Sequence, residues 1–200
     1  MKDRLEEQMA FALEIDKSKL VLRRTHLSNC GRRENDAEHA WHMAVMAYLL
    51  KEYSNEPIDI AKVMIMCLIH DIVEIDAGDT FAYDEAAKLT ESAREEAAKE
   101  RLFSLLPTDQ AEEFAHLFEE FTACATPEAK FANAMDNIQP LLLNDSNDGY
   151  DWKENGVPYE KVLKRHNKTK MGSSTLYSMV EDMLSKNVAK GNLKQQKTSC

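Results

Sequence analysis

Val63-Met64-Ile65-Met66-Cys67-Leu68-Ile69-His70-Asp71 is the stretch on which the fold turns. Its seven leading residues are apolar on nearly every side of a helix, the mark of a segment enclosed by other helices. The run then ends on an imidazole and a carboxylate. Its helix opens at Pro57, a favoured first-turn residue. Upstream, Asn35 or Asp36 can cap a helix running to about Tyr53, with Met43, Met46, Ala47 and Leu50 on one face. His39 lies on that face, four residues before Met43, and so points inward. Downstream, Pro127 to Leu143 reads as a helix carrying Asp136.

The rest follows the same period. Leu5, Met9, Ala12 and Leu13 recur at helical spacing and predict a first helix over about residues 2–17. Gly78 breaks the pattern, and Ile75 to Tyr83 reads as a loop. Further helices are expected over Asp84 to Leu106, Thr108 to about Cys124, Tyr159 to Arg165 and Ser173 to Lys186, with a turn-rich stretch from Asn144 to Pro158. Strand signals are almost absent. The expectation is an all-α helical bundle with a central metal site, one domain over residues 1–185, and a flexible tail over 186–200 rich in Lys, Gln, Asn and Ser. Trp41, Trp152 and the ten methionines are read as core.

Composition narrows the function. Lys+Arg 25 against Asp+Glu 35 gives a formal charge of -10, which disfavours a binder of long nucleic acid. A small anion remains possible where a local basic cluster or a metal overrules the global field. Cys30, Cys67, Cys124 and Cys200 are scattered without a C-x-x-C pair, which fits a reducing, cytoplasmic setting. The N-terminus does not read as a signal peptide, and no stretch approaches the ~18 uninterrupted apolar residues of a membrane span.

His39, His70, Asp71 and Asp136 form a mixed nitrogen and oxygen set suited to a divalent metal that also holds water. Polar groups converging on an interior need partners, and one cation serves all four. Adjacent residues on a helix diverge by about 100°, so an ordinary amphipathic stripe would not bury both His70 and Asp71, whereas a metal at the helix end can meet both. Glu74 falls one turn further on the same face. His42 is set aside because the four-group set is complete without it. His116 and His166 are read as surface or core histidines, although either could serve a second ion. The interleaved charges from Glu91 to Arg101 read as a solvated helix face.

Four segments together resemble the HD-domain metal-dependent phosphohydrolases, and more narrowly their 5'-deoxynucleotidase-like branch. They are Arg33-Glu34-Asn35-Asp36-Ala37-Glu38-His39, then His70-Asp71-Ile72-Val73-Glu74, then Ala77-Gly78-Asp79, then Ala129 to Asp136. The resemblance implies that His39, His70, Asp71 and Asp136 ligate one divalent ion (Mn, Co, Mg, Fe or Zn) and that its bound water attacks the phosphate of a deoxynucleoside 5'-monophosphate. It implies that Glu74 contacts the reacting water or the nucleotide, and that Asp79 acts as acid or base toward the leaving group. Either could supply the departing oxygen's proton. Arg24 best matches the family's phosphate-covering arginine, with Arg33 a second anion ligand; the aromatic residue beside that arginine in some members is Thr25 here. Members of the branch are commonly homodimers. Two alternatives stand beside this reading: a hydrolase of cyclic or polyphosphate nucleotides on the same centre, and a metal- or nucleotide-binding regulator without turnover. Glu74 and Asp79 speak against the second.

Overall fold

A computed structural model describes residues 3–195. The chain runs α1 (Arg4–Glu14), β1 (Leu22–His26), β2 (Arg33–Asn35), α2 (Asp36–Leu50), α3 (Ile60–Ile69), α4 (Glu74–Ala77), α5 (Glu85–Phe103), α6 (Thr108–Ala123), α7 (Pro127–Ser146), α8 (Tyr150–Glu154), α9 (Tyr159–Arg165), α10 (Asn167–Gly172) and α11 (Ser174–Ala189). The protein is all-α apart from one short antiparallel hairpin, β1 with β2, which pairs Leu22 with Asn35 and His26 with Arg33. Among the described residues no helix is long and apolar enough to cross a membrane.

Local chemistry sets the helix ends. Asn35 caps α2 by accepting from Glu38 N while the Glu38 side chain returns to Asn35 N. α3 starts later than Pro57 suggests, because the Asp59 carboxylate accepts from Ala61 N and Lys62 N and fixes the first turn there. Thr126 caps α7, and Pro127 occupies its first turn.

The enclosed helix is α7, more than α3. Ala129, Phe131, Ala132, Ala134, Met135 and Ile138 are buried on α7, and the polar Asn133, Asn137, Gln139 and Asn144 are buried as well. Two of its asparagine amide groups donate back along the helix itself: Asn137 Nδ2 to Asn133 O at 2.8 Å and Asn144 Nδ2 to Pro140 O at 3.0 Å. α2 and α3 pack on α7, and α10 crosses it so closely that a Cβ added to Gly172 would lie 2.3 Å from Lys130 O. A second core joins α1, α5 and α6 through Phe11, Leu102, Phe103 and Phe118.

Several expectations are corrected. α1 docks through Phe11, leaving the stripe Leu5, Met9 and Leu13 exposed, because the aromatic ring buries more apolar area than the aliphatic side chains. Trp41 is 64% exposed on the outer face of α2, whereas Trp152 is core. Part of the Ile75 to Tyr83 loop forms α4. The start of the expected tail is ordered: α11 continues to Ala189, Leu193 is 2% exposed, and Tyr159 N donates to Lys194 O at 3.0 Å. Residues 196–200 of that tail lie outside the described residues.

Candidate metal centre and cavity

α3 stops where its pattern turns polar. After Ile69 the chain tightens, with Ile72 N donating to Ile69 O and Glu74 N to Asp71 O, and this break lets His70 and Asp71 face the same space. α2 brings His39 and α7 brings Asp136. One Nε2, one Nε2 and one carboxylate oxygen from His39, His70 and Asp136 lie within 4.8 Å of one another. Asp136 Oδ1 stands 3.3 Å from His39 Nε2 and 3.9 Å from His70 Nε2. Asp71 joins them, with Oδ1 3.0 Å from His70 Nε2 and Oδ2 3.9 Å from His39 Nε2. Donors that neighbour each other around a first-row divalent ion at ~2.1 Å are separated by about 3.0–3.4 Å, so this set is close to the spacing such an ion requires.

Both imidazoles are aimed from behind. His39 Nδ1 meets Gln139 Oε1 at 2.8 Å, and His70 Nδ1 meets the Cys67 carbonyl at 3.0 Å, which turns each Nε2 toward the carboxylates. His70 Nε2 is buried without a hydrogen-bond partner. Burial pushes His39 down to about 4, so it is neutral near pH 7, as a ligand must be. Burial opposes the charged form of Asp71 and Asp136. Even so, His70 and Arg23 hold Asp71 below the usual carboxylate range, and Arg165 with the two histidines holds Asp136 well below it. The donor chemistry, the orphaned Nε2 and the spacing fit a divalent cation.

Beside this set lies a second carboxyl cluster. Oxygens of Asp36, Glu74 and Asp79 lie within 4.8 Å of one another. Burial, with Asp71 adding to it, pushes Asp36 up to about 7 and raises Glu74 well above its ordinary value; burial also raises Asp79. Gly78, at φ 74°, makes the turn that delivers Asp79 to this cluster. Both groups border a cavity of about 630 Å³ whose walls include His70, Asp71, Glu74, Asp79 and Asp136 together with Phe81, Tyr83, Trp152 and Val162.

The arginines fall differently from the sequence reading. Alternation along β1 buries Arg23 and leaves Arg24 exposed at the cavity edge. Arg23 Nη1 reaches Asp71 Oδ2 at 2.7 Å and Asp36 Oδ1 at 3.4 Å, and its Nε is buried without a partner. Arg33 lies outside the cavity wall, and it is Arg32 that pairs with Glu38. His42 meets Gln139 Nε2 at 3.1 Å, away from the donor set, and His116 is exposed. His166 is buried against Thr169 Oγ1 at 2.9 Å while also lining the cavity. Sequence reasoning missed Gln139, Asp36 and Arg165. The position of Gln139, three residues after Asp136 on a helix packed against α2, was the one available signal for it.

A helical bundle that gathers two imidazoles and two carboxylates on the wall of an open cavity defines a metal-binding domain with room for a small ligand. The chain belongs to the HD-domain family, whose model matches residues 15–176. It is 49% identical, with a TM-score of 0.92 and 96% of each chain covered, to a crystal structure from Magnetospirillum magnetotacticum described as a predicted metal-dependent phosphohydrolase. It is 32% identical over 114 residues to the human 5'-deoxynucleotidase HDDC2, covering 57% of this chain and 54% of that one. The Dictyostelium discoideum 5'-deoxynucleotidase HDDC2 is 30% identical over 151 residues, 72% of this chain and 77% of the relative. The match to the human protein spans about half of that relative's length.

Proposed function

We propose that this chain is a metal-dependent phosphohydrolase that releases phosphate from deoxynucleoside 5'-monophosphates, with His39, His70, Asp71 and Asp136 as the ligands of one divalent ion. The observation that carries the reading is the convergence of two pre-aimed Nε2 atoms and two carboxylates at the wall of a nucleotide-sized cavity. The names of the relatives supply the substrate class. A bound ion supplies Lewis-acid polarisation of a phosphoryl oxygen and a water made acidic enough to react near neutral pH. The mixed N/O set leaves its identity among Mn, Co, Fe, Mg and Zn.

The protein's own groups do the rest. Glu74, raised well above its ordinary value by burial and by Asp71 and Asp36, is the carboxyl on this wall most disposed to hold a proton and give it to the departing 5'-oxygen. Asp79, on the same wall, is the second proton-handling group. Arg23 anchors Asp71 and presents its guanidinium to the cavity, taking the phosphate-facing role expected of Arg24; Arg24 stays at the rim and Arg33 has no place in the site.

In this reading the enzyme is a cytoplasmic homodimer. Trp41, Val45, Tyr48 and Leu49 form an exposed apolar stripe on α2, next to exposed Ile65 and Leu68 on α3, and this supports pairing through that face. The central test is phosphate release from a panel of deoxynucleoside monophosphates, with single metals added back to chelated protein and cyclic and polyphosphate nucleotides alongside. Preference for a cyclic or polyphosphate nucleotide, or no release with any metal, would overturn the assignment.

A further inference from the structure

Arg165 closes α9 and lines the cavity next to Asp136. Its only polar contact among the described residues is from Nη2 to Asp136 Oδ2 at 3.4 Å, and its Nε is buried with no acceptor. A guanidinium built to hold a carboxylate makes two parallel bonds near 2.8 Å. Here four of the five N–H donors have no protein acceptor among the described residues. The contact also falls on the outer oxygen, because Asp136 Oδ1 is the one turned toward His39 and His70. Arg165 therefore stands beside the metal centre with its donors unspent and its side chain partly open to the cavity.

Electrostatics says what those donors await. Asp36, Asp71, Glu74, Asp79 and Asp136 crowd carboxyl groups around the space a phosphate would enter. Arg23 lies among them but is already engaged by Asp71 and Asp36. Arg23 and Arg165 both line the cavity that Asp79 borders, one from β1 and one from α9. A phosphate dianion placed there needs more positive charge than Arg23 can supply alone, and Arg165, held to Asp136 by one long contact, borders that space from the α9 side.

Resting on the phosphohydrolase reading, we propose that Arg165 is a catalytic residue that grips the substrate phosphate from the α9 side, completing with Arg23 a two-guanidinium clamp over the metal centre. Its planar fork can take two equatorial phosphoryl oxygens, and the grip strengthens as charge builds on them during the displacement.

The test is calorimetric titration of metal-saturated protein with inorganic phosphate, comparing wild type, Arg165→Gln, Arg165→Lys and the distant charge control Lys17→Gln. Loss of charge-assisted hydrogen bonds should weaken phosphate binding by about 10- to 100-fold in Arg165→Gln. Arg165→Lys should recover part of that loss, and Lys17→Gln none is expected to lose. Metal stoichiometry should hold throughout, and kcat/KM on deoxynucleoside monophosphates should fall with the phosphate affinity. Unchanged phosphate binding in Arg165→Gln refutes the clamp. So does a loss that excess metal restores, which would make Arg165 a positioning residue for Asp136, and so does a wild type that binds no phosphate at tens of millimolar. Phosphate binding that depends on Arg165, in a protein that turns over no deoxynucleoside monophosphate, would leave the clamp standing and remove the substrate assignment instead.

Discussion

Gln139 offers the sharpest test of how this centre is assembled. It is fully buried, its Oε1 meets His39 Nδ1 at 2.8 Å, and its Nε2 donates to Glu34 Oε1 at 2.7 Å. Gln139→Met keeps the volume and removes both bonds, together with the Nε2 contact to His42 at 3.1 Å. A buried N–H on His39 and a buried oxygen on Glu34 would then lack partners, at roughly 1–3 kcal/mol each. Part is recovered by burying an apolar side chain, so a net loss of roughly 2–4 kcal/mol is expected. For a domain of this size that lowers Tm by roughly 5–15 °C. His39 would also lose the bond that aims its Nε2, which should weaken metal binding by about 10- to 100-fold. Gln139→Glu separates the two effects: it keeps an acceptor for His39 and so most of the metal affinity, but it sets a second carboxyl against Glu34. The assay is thermal melting with chelator and with added metal, paired with competition against a chromophoric chelator. Added metal should raise the melting temperature of wild type more than that of Gln139→Met. A Gln139→Met protein that melts within about 2 °C of wild type and holds metal within about twofold of it would refute the reasoning.

Asp71→Ala should abolish metal retention and phosphate release together, since it removes a charged donor and strands Arg23; elemental analysis of the purified variant checks this. Glu74→Gln should keep its metal and lower turnover by roughly two to four orders of magnitude, and normal turnover would reassign Glu74 to structure. The pH dependence of stability should carry a contribution from Glu95, a carboxyl on α5 that burial and Glu91 push up to about 7. The folded state keeps this proton after the unfolded chain has lost it, so stability should fall as pH rises from the ordinary glutamate range to about 7 and level off above. Glu95→Gln should flatten that part of the Tm profile, and parallel profiles for the two proteins would count against it.

Much of the architecture could be read from the chain. Helical periodicity placed α2, α6, α7 and α9 within a few residues of their observed bounds, and the α2 cap falls at Asn35, one of the two positions read for it. Such features are local: a cap or an apolar period acts over one or two turns, and the sequence carries all of it. The hairpin escaped notice because three residues of β2 are too few to show alternation, and because β1 is held by buried Arg23 instead of an apolar stripe. The apolar run of α3 pointed to the most enclosed helix, but Ile65 and Leu68 are each 42% exposed while α7 buries its amides. Hydrophobicity alone cannot show that a polar residue will find its partner inside.

The same division runs through the site. The sequence by itself determined the candidate donor types, since His39, His70, Asp71 and Asp136 each lie on or at the end of a helical stretch read as inward-facing, and a polar group on such a face calls for a partner. Only the tertiary structure decided what stands behind and around them. Gln139 reaches His39 from a helix 100 residues away, Arg23 rather than Arg24 turns inward by strand alternation, and Arg165 comes to Asp136 across 29 residues. These placements depend on helix crossings and on the register of one hairpin. Packing of the whole core sets both, and no local pattern encodes them.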